Sequence, residues 1–282
     1  MIYTILQLGL IYSLLALGVY ITYSLLNFPD LGVDGSITLG GGVAIVAILS
    51  GVDPYIATLL AVICGALAGV LTGLLHVKFR INNLISGIIT TTALYSINLV
   101  VMGGKPNLSL SGKNTIFSLF INNMPRAIGF IVLILLIVVI TKVILNVIFN
   151  SKLGIFTRSV GSNPALVSTM GGNVGLLKII GLALSNALVA FCGAVLVQYQ
   201  GYCDIGMSTG ALVLGLTMVI LGISLQRVFK KLEVSFCVMI GAIVYQAIIG
   251  TALTLGLPTI YMKLSTAVIL VIVLTLRKER VA

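Results

Sequence analysis

The chain has 282 residues, of which 59% are apolar and only 8% charged. A water-soluble domain carries about 25% charged residues because its surface must face water, so this composition excludes a soluble globular protein and makes lipid the main external solvent. The net charge is +10, but the 16 Lys and Arg sit in short runs between apolar stretches and form no face that could track phosphates, which excludes nucleic acid as a partner.

In chain order, apolar stretches fall at Ile2–Leu26, Ile37–Leu49, Pro54–Leu75, Leu84–Met102, Ala127–Phe149, Ile179–Val197, Ala211–Ile223, Val234–Thr251 and Thr259–Leu276. The first lacks a basic flank and is too long for a signal-peptide core, so it reads as a retained membrane helix. A helix needs about 20 residues to cross the hydrocarbon, which leaves the second and seventh stretches short. The expected fold is an all-α integral membrane protein: a polytopic helical bundle of about nine transmembrane segments, two of them short, forming one domain over residues 1–282. The longest outer loop, Gly103–Arg126, has ordered-turn chemistry at Gly103-Gly104-Lys105-Pro106 and Ser111-Gly112-Lys113-Asn114. Its apolar patch Ile116–Ile121 is expected along the membrane surface or against a partner.

The basic residues set the orientation. One side holds Lys78, Arg80, Lys142, Lys152, Arg158, Lys178, Arg227, Lys230, Lys231, Arg277, Lys278 and Arg280. The other holds Lys105, Lys113, Arg126 and Lys263. Twelve against four is a positive-inside bias, and it places the richer side in the cytoplasm. The expected location is the bacterial plasma (inner) membrane, with the N-terminus outside and the C-terminus inside. The basic residues also contact anionic membrane lipids.

Two segments resemble each other. Asn27-Phe28-Pro29-Asp30-Leu31-Gly32-Val33 precedes the short second stretch, and Tyr202-Cys203-Asp204-Ile205-Gly206-Met207 precedes the short seventh. Short, Gly-interrupted segments in matching positions of opposite orientation suggest an inverted repeat pointing at a transport path. Aspartate inside a membrane segment is costly and tends to face a polar cavity. Asp30, Asp34, Ser36, Asn98 and Asp204 are therefore candidates to line a substrate path. The competing reading makes Asp34 the cap of a helix beginning near Ser36, with Asp30 in interfacial water and Asp204 a wet loop residue or cap. Other polar side chains in the spans, including Ser24, Ser185, Asn186, Gln198 and Gln246, read equally as path or as hydrogen-bond glue between helices. Cys64, Cys192, Cys203 and Cys237 form no metal-ligand spacing and read as free thiols. With His76 as the sole histidine, no acid–base constellation for an enzyme is present.

The stretch Leu153–Lys178 is amphipathic and moderately basic. Asn163 is a candidate N-cap with Pro164 at the first helical position, and Gly171-Gly172 a stop. One short helix, Pro164–Met170, is expected between two glycine hinges, at Gly161 and at Gly171-Gly172. It carries no Lys or Arg, so it would hold to a lipid surface weakly; docking on a cytoplasmic partner is the stronger reading.

Here the sequence resembles the permeases of ABC importers for branched-chain amino acids and ribose-type sugars. Gly161-Ser162-Asn163-Pro164-Ala165 and Met170-Gly171-Gly172-Asn173-Val174 resemble that family's G-x-N-P-x-A … G-I-N cytoplasmic loop, with Leu166 where alanine is commoner. Asp30-Leu31-Gly32-Val33-Asp34-Gly35-Ser36 looks like its D-L-S/T-V-G/E-G-S segment, with Gly32 in place of the usual hydroxyl residue. Gly181–Asn186, Gln198–Gly201 and Asp204–Met207 are similar to a subgroup that works with a lipoprotein or periplasmic binding protein, some members being linked to tryptophan and tyrosine uptake. The resemblance implies a permease homodimer, an ABC ATPase subunit docked on a coupling loop at 150–178 through Gly161, Asn163, Pro164, Ala165, Met170, Gly171 and Gly172, and an extracytoplasmic solute-binding protein. The chain has no Gly-x-x-x-x-Gly-Lys-Ser/Thr loop, so it cradles no ATP itself. An amino acid is the first expectation for the solute, a sugar or nucleoside the second. A secondary transporter would have no use for the coupling loop.

Overall fold

The computed structural model describes residues 2–120 and 125–276. Helix α1 (Ile2–Tyr20) runs into a π-helical turn over Ile21–Leu25. The chain then breaks through Asn27, which has a positive φ of 50°, and re-enters the bundle as α2 (Gly32–Leu49). Helix α3 (Pro54–Val77) starts where Asp53 accepts the Tyr55 N–H at 2.8 Å and Pro54 occupies a first-turn position. Proline suits that position because its missing N–H would be unpaired there anyway. Asn82 caps α4 (Asn83–Val101) in the same way. The next connection carries strand β1 (Asn107–Ser109) and α5 (Ile116–Phe120).

After α6 (Arg126–Asn150) come two helices, α7 (Lys152–Ser162) and α8 (Pro164–Thr169). Helix α9 (Val174–Gln200) ends at Gly201, whose φ of +81° stops the helix and turns the chain into strand β2 (Tyr202–Asp204). Helices α10 (Ala211–Val228), α11 (Val234–Thr254) and α12 (Met262–Leu276) complete the described chain.

Eight helices are long and apolar enough to cross a membrane, and α12 is a shorter apolar ninth, among the described residues. This is a polytopic all-α membrane protein. The two stretches expected to be short are both 18-residue helices. Hydropathy reads Gly32, Asp34, Gly35 and Ser36 as loop, but inside the bundle their backbone groups have no water to bond and the helix continues through them. The short member is α12, with 15 residues. The basic tail at Arg277, Lys278 and Arg280 lies outside the described residues, as does Ile121.

The two ends of the bundle are tied separately. At one end, β1 and β2 pair antiparallel with Asn107 opposite Asp204. At the other, the Lys142 ammonium of α6 donates to Glu233 ahead of α11, and Lys178 of α9 donates to His76 Nε2 of α3 at 3.0 Å. His76 Nδ1 donates in turn to the Ile81 carbonyl at 2.8 Å, which fixes the tautomer. The patch at Ile116 is divided, with Leu119 and Phe120 exposed. Ile116 and Phe117 are buried, with the Ile116 N–H bonded to Gln198 Oε1 at 3.0 Å and the Phe117 ring 4.8 Å from that of Phe130.

The pairings repeat. Helix α9 packs parallel to α2 (Ser36 with Asn186, Gly40 with Ala190) and antiparallel to α3 (Gly65 with Asn186, Gly73 with Ile179). Helix α1 packs parallel to α10 (Val19 with Gly215) and antiparallel to α11 (Gly9 with Ile243, Ile5 with Gly250). Because α1 and α9 are themselves antiparallel, with Gly18 against Ser185 and Ile11 against Cys192, α1–α4 and α9–α12 form an inverted repeat. The seam between α2, α3 and α9 is made of small residues. A Cβ on Gly40 would lie 2.0 Å from the Ala190 carbonyl oxygen, one on Gly193 2.1 Å from that of Ile37, and one on Gly69 2.2 Å from that of Leu182. Where lipid is the solvent, such close backbone contact is a main source of helix association.

Candidate functional site

The polar interior is built at the starts of α2 and α10. Asp30 is fully buried. Its Oδ1 accepts the Gly32 N–H at 2.8 Å and its Oδ2 accepts from Asn186 Nδ2 at 2.8 Å. Asn186 Oδ1 accepts from the Ser36 hydroxyl at 2.6 Å. Asp30 and Ser36, both read as path residues in the sequence, therefore meet through Asn186 of α9. A side chain at position 32 would press on this group, since a Cβ there would lie 2.8 Å from Asp30 Oδ1 and 3.3 Å from Thr72 Oγ1. That crowding is the local reason for Gly32. Asp30 does not sit in interfacial water.

Asp34 caps a helix, but not the one it belongs to. It lies in the first turn of α2, and its two oxygens accept the N–H groups of Gly210 (3.1 Å) and Leu212 (2.8 Å) at the start of α10. One turn further along α2, the Thr38 and Ser208 hydroxyls meet at 2.6 Å. The two helix starts of the inverted repeat thus hold each other. Their local geometry also matches: Asp204 Oδ1 accepts the Gly206 N–H at 2.8 Å, as Asp30 does for Gly32. Asp204 itself stands apart from the interior group, on β2, where Asn107 donates to its other oxygen at 3.4 Å. Asn98 of α4 donates to the Gly35 carbonyl at 3.1 Å, and its buried Oδ1 has no partner in the described structure.

Other polar side chains act as ties between helices. Gln198 Nε2 donates to Thr58 at 2.8 Å, Ser185 to the Gly18 carbonyl at 2.7 Å, and Thr72 to Thr90 at 2.9 Å. Ser24 is exposed and Gln246 half-buried. The Thr38–Ser208 and Asp34–α10 contacts span 170 residues or more of chain, and no local pattern announces them. The four cysteines are free. Cys203 on β2 is fully buried, and burial pushes its thiol up to about 12, with the Asp204 charge adding to the effect.

At the opposite end from the β-ribbon, residues 151–173 form a helical elbow. Ser151 caps α7, Asn163 caps α8 by accepting the Leu166 N–H at 3.0 Å, and Asn173 caps α9 by accepting the Leu176 N–H at 3.1 Å. The stop at Gly171 is present, with φ +79°. Gly161 is no hinge: it lies within α7, where a Cβ would sit 2.1 Å from the Leu25 carbonyl oxygen. A second helix, α7, precedes the expected one and is formed by the amphipathic run Lys152–Ser162. Val167 is buried against Val160 and Leu177, whereas Ala165, Leu166 and Met170 are exposed.

A multi-pass helical bundle with broken, polar helix starts in its interior and a capped helical elbow at one end defines a membrane transport subunit. The comparisons give the family. Residues 1–276 match the model described as "Branched-chain amino acid transport system / permease component", and the chain belongs to that family. It is 39% identical over 263 residues to a "Tyrosine transport system permease protein" of Clostridioides difficile, covering 93% of this chain and 86% of that one. It is 33% identical to an uncharacterized protein of Rickettsia prowazekii, covering 96% of each. It is 29% identical to a "Probable branched-chain amino acid transport permease protein" of Methanocaldococcus jannaschii, covering 74% of this chain and 70% of that one.

Proposed function

We propose that this chain is the membrane-spanning subunit of an ATP-driven importer, that its solute is an amino acid, and that an extracytoplasmic binding protein delivers it. The observation that carries the reading is the family match over residues 1–276; the relative named for tyrosine transport supports an amino acid, aromatic side chains included. The elbow end faces the cytoplasm, a placement the positive-inside bias supports, with the N-terminus outside and two copies forming the transporter. Energy comes from a separate ATPase subunit, because the chain has no phosphate-cradling loop.

That ATPase docks on α7 and α8. The exposed Ala165, Leu166 and Met170 form the contact, Asn163 with Pro164 sets the start of α8, and Gly171 with Gly172 ends it. Gly161 supplies the transmission: α7 touches the backbone at Leu25, five residues before Asp30. A push on the elbow reaches the broken start of α2 through backbone, without a soft layer of side chains between. Asp30, Asp34, Ser36 and Asn98 hold that start closed in this conformation, and they meet solute when α2, moving together with α9, parts from α10. Asp204 acts at the outer mouth.

The test uses the complex of permease, ATPase and binding protein in vesicles. Ala165→Glu places a charge on the exposed side of α8 and leaves the buried Val167 in place. It is expected to lower solute-stimulated ATP hydrolysis at least tenfold with normal insertion. Full stimulation in that variant would remove the docking assignment.

A further inference from the structure

Among the eight spans, α2 and α4 share the lowest hydropathy, yet α2 is the most deeply buried and α4 the least. Helix α6 is nearly as exposed as α4 and is the most apolar of all. A helix turned to lipid should look like α6, whose exposed mid-span residues, among them Val132, Leu135, Leu136, Val139 and Ile140, are all aliphatic. The exposed side of α4 is mixed: Ile85, Ile88, Ile89 and Ile97 flank a hydroxyl-bearing patch in its middle turns. At about 100° per residue, Thr92 lies at its centre, with Tyr95 and Ser96 one turn on and to either side, and all three are exposed. Thr92 satisfies its hydroxyl on the Ile88 carbonyl at 2.9 Å, but the hydroxyls of Tyr95 and Ser96 have no partner among the described residues. Tyrosines that face lipid belong at the membrane–water boundary, and Tyr95 is the thirteenth of 19 residues in α4. No other span exposes hydroxyl side chains in its middle turns among the described residues. Helix α4 is also held from one side, by α2 and α3.

We propose that the Thr92–Tyr95–Ser96 face of α4 lines the water-filled solute path and not lipid, with a second membrane subunit closing the far side. This rests on the transport reading above and adds to it the surface along which the solute moves. The free hydroxyls suit a solute with polar backbone groups, and the Tyr95 ring suits an apolar or aromatic side chain on it.

The experiment is cysteine accessibility in the assembled complex. Thr92→Cys, Ser96→Cys and, on the lipid-facing side of α6, Val139→Cys are made in a Cys64→Ala background, the other three cysteines being buried. A charged, membrane-impermeant methanethiosulfonate needs water and an ionised thiol to react. The α4 cysteines are expected to react at least tenfold faster than Val139→Cys. Reaction no faster than that control would overturn the proposal, as would cross-linking of Ser96→Cys between two copies with no reagent labelling, which means a dry contact. ATP-dependent uptake of L-tyrosine in the same vesicles checks the transport reading separately. Uptake that persists beside unreactive α4 cysteines defeats the path assignment alone.

Discussion

Replacing Asp34 with alanine removes the acceptor that joins α2 to the start of α10. The N–H groups of Gly210 and Leu212 lose their partner. An unsatisfied buried donor costs about 1–3 kcal/mol, and the lower half of that range applies because Asp34 is half-buried. Losing a carboxylate at a helix N-terminus adds about 0.3–1 kcal/mol, for a total of about 3 kcal/mol. At about 2–4 °C per kcal/mol for chains of this size, the unfolding midpoint should fall by roughly 6–12 °C. Heating detergent-solubilised protein with a thiol-reactive fluorophore reads this directly, since Cys192, Cys203 and Cys237 are buried until the bundle opens. Asp34→Asn keeps one acceptor oxygen and should lose about half as much. Asp204→Ala, which opens an exposed turn at Gly206, should cost no more than about 2 °C. If Asp34→Ala melted no lower than Asp204→Ala, the proposed tie between the two halves would carry no energy, and the account of the broken helix starts would be wrong.

Two glycines on α2 should behave oppositely. Gly40→Ala forces its methyl to 2.0 Å from the Ala190 carbonyl oxygen and should abolish stable insertion, whereas Gly42→Ala, with Met102 Cγ 3.4 Å away, should accumulate to near wild-type levels; membrane fractionation and blotting compare them. Cys203, with its thiol near 12, should alkylate at least about 10³-fold slower than a free thiol near 8.5 at neutral pH; mass spectrometry after maleimide treatment measures it, and labelling at the free-thiol rate would contradict the burial of Cys203 beneath the β-ribbon. The Lys142 hydrogen bond, and then its charge, hold the Glu233 carboxyl below the usual glutamate range. The pair's contribution is therefore full above about pH 4.3 and lost as pH falls through the lowered value. Because Glu233 is largely exposed, Glu233→Gln should shift the midpoint by no more than about 1 kcal/mol equivalent, by a constant amount from pH 8 to pH 5; a difference that grew across that window would exclude this titration as its cause.

Apolar run length located every span, because a lipid-facing surface leaves the sequence no other option. It failed at span starts. Gly32, Asp34, Gly35 and Ser36 read as polar punctuation, and only the demand for backbone pairing inside the bundle shows why the helix includes them. The Asn163 cap and the Gly171 stop were legible, since capping is local chemistry. Helix α7 was not, because a run containing Gly154, Thr157, Ser159 and Gly161 has weak propensity and gains its stability by packing on Leu25 and Phe149. The partners of Asp30, Asp34 and Ile116 lie 156, 178 and 82 residues away, so their roles depend on topology and not on neighbouring residues. The matching Asp-x-Gly turns were visible as a pattern; that each carboxylate holds its own glycine N–H was not.

The glycine seam between α2, α3 and α9 has a mechanical consequence. Helices that touch through interlocked side chains can slide by exchanging one rotamer set for another, but here carbonyl meets Cα with nothing between to repack. The three helices should therefore travel as one rigid wedge. Any opening stroke must be accommodated at its borders, where α2 meets α10 and where α4 stands free.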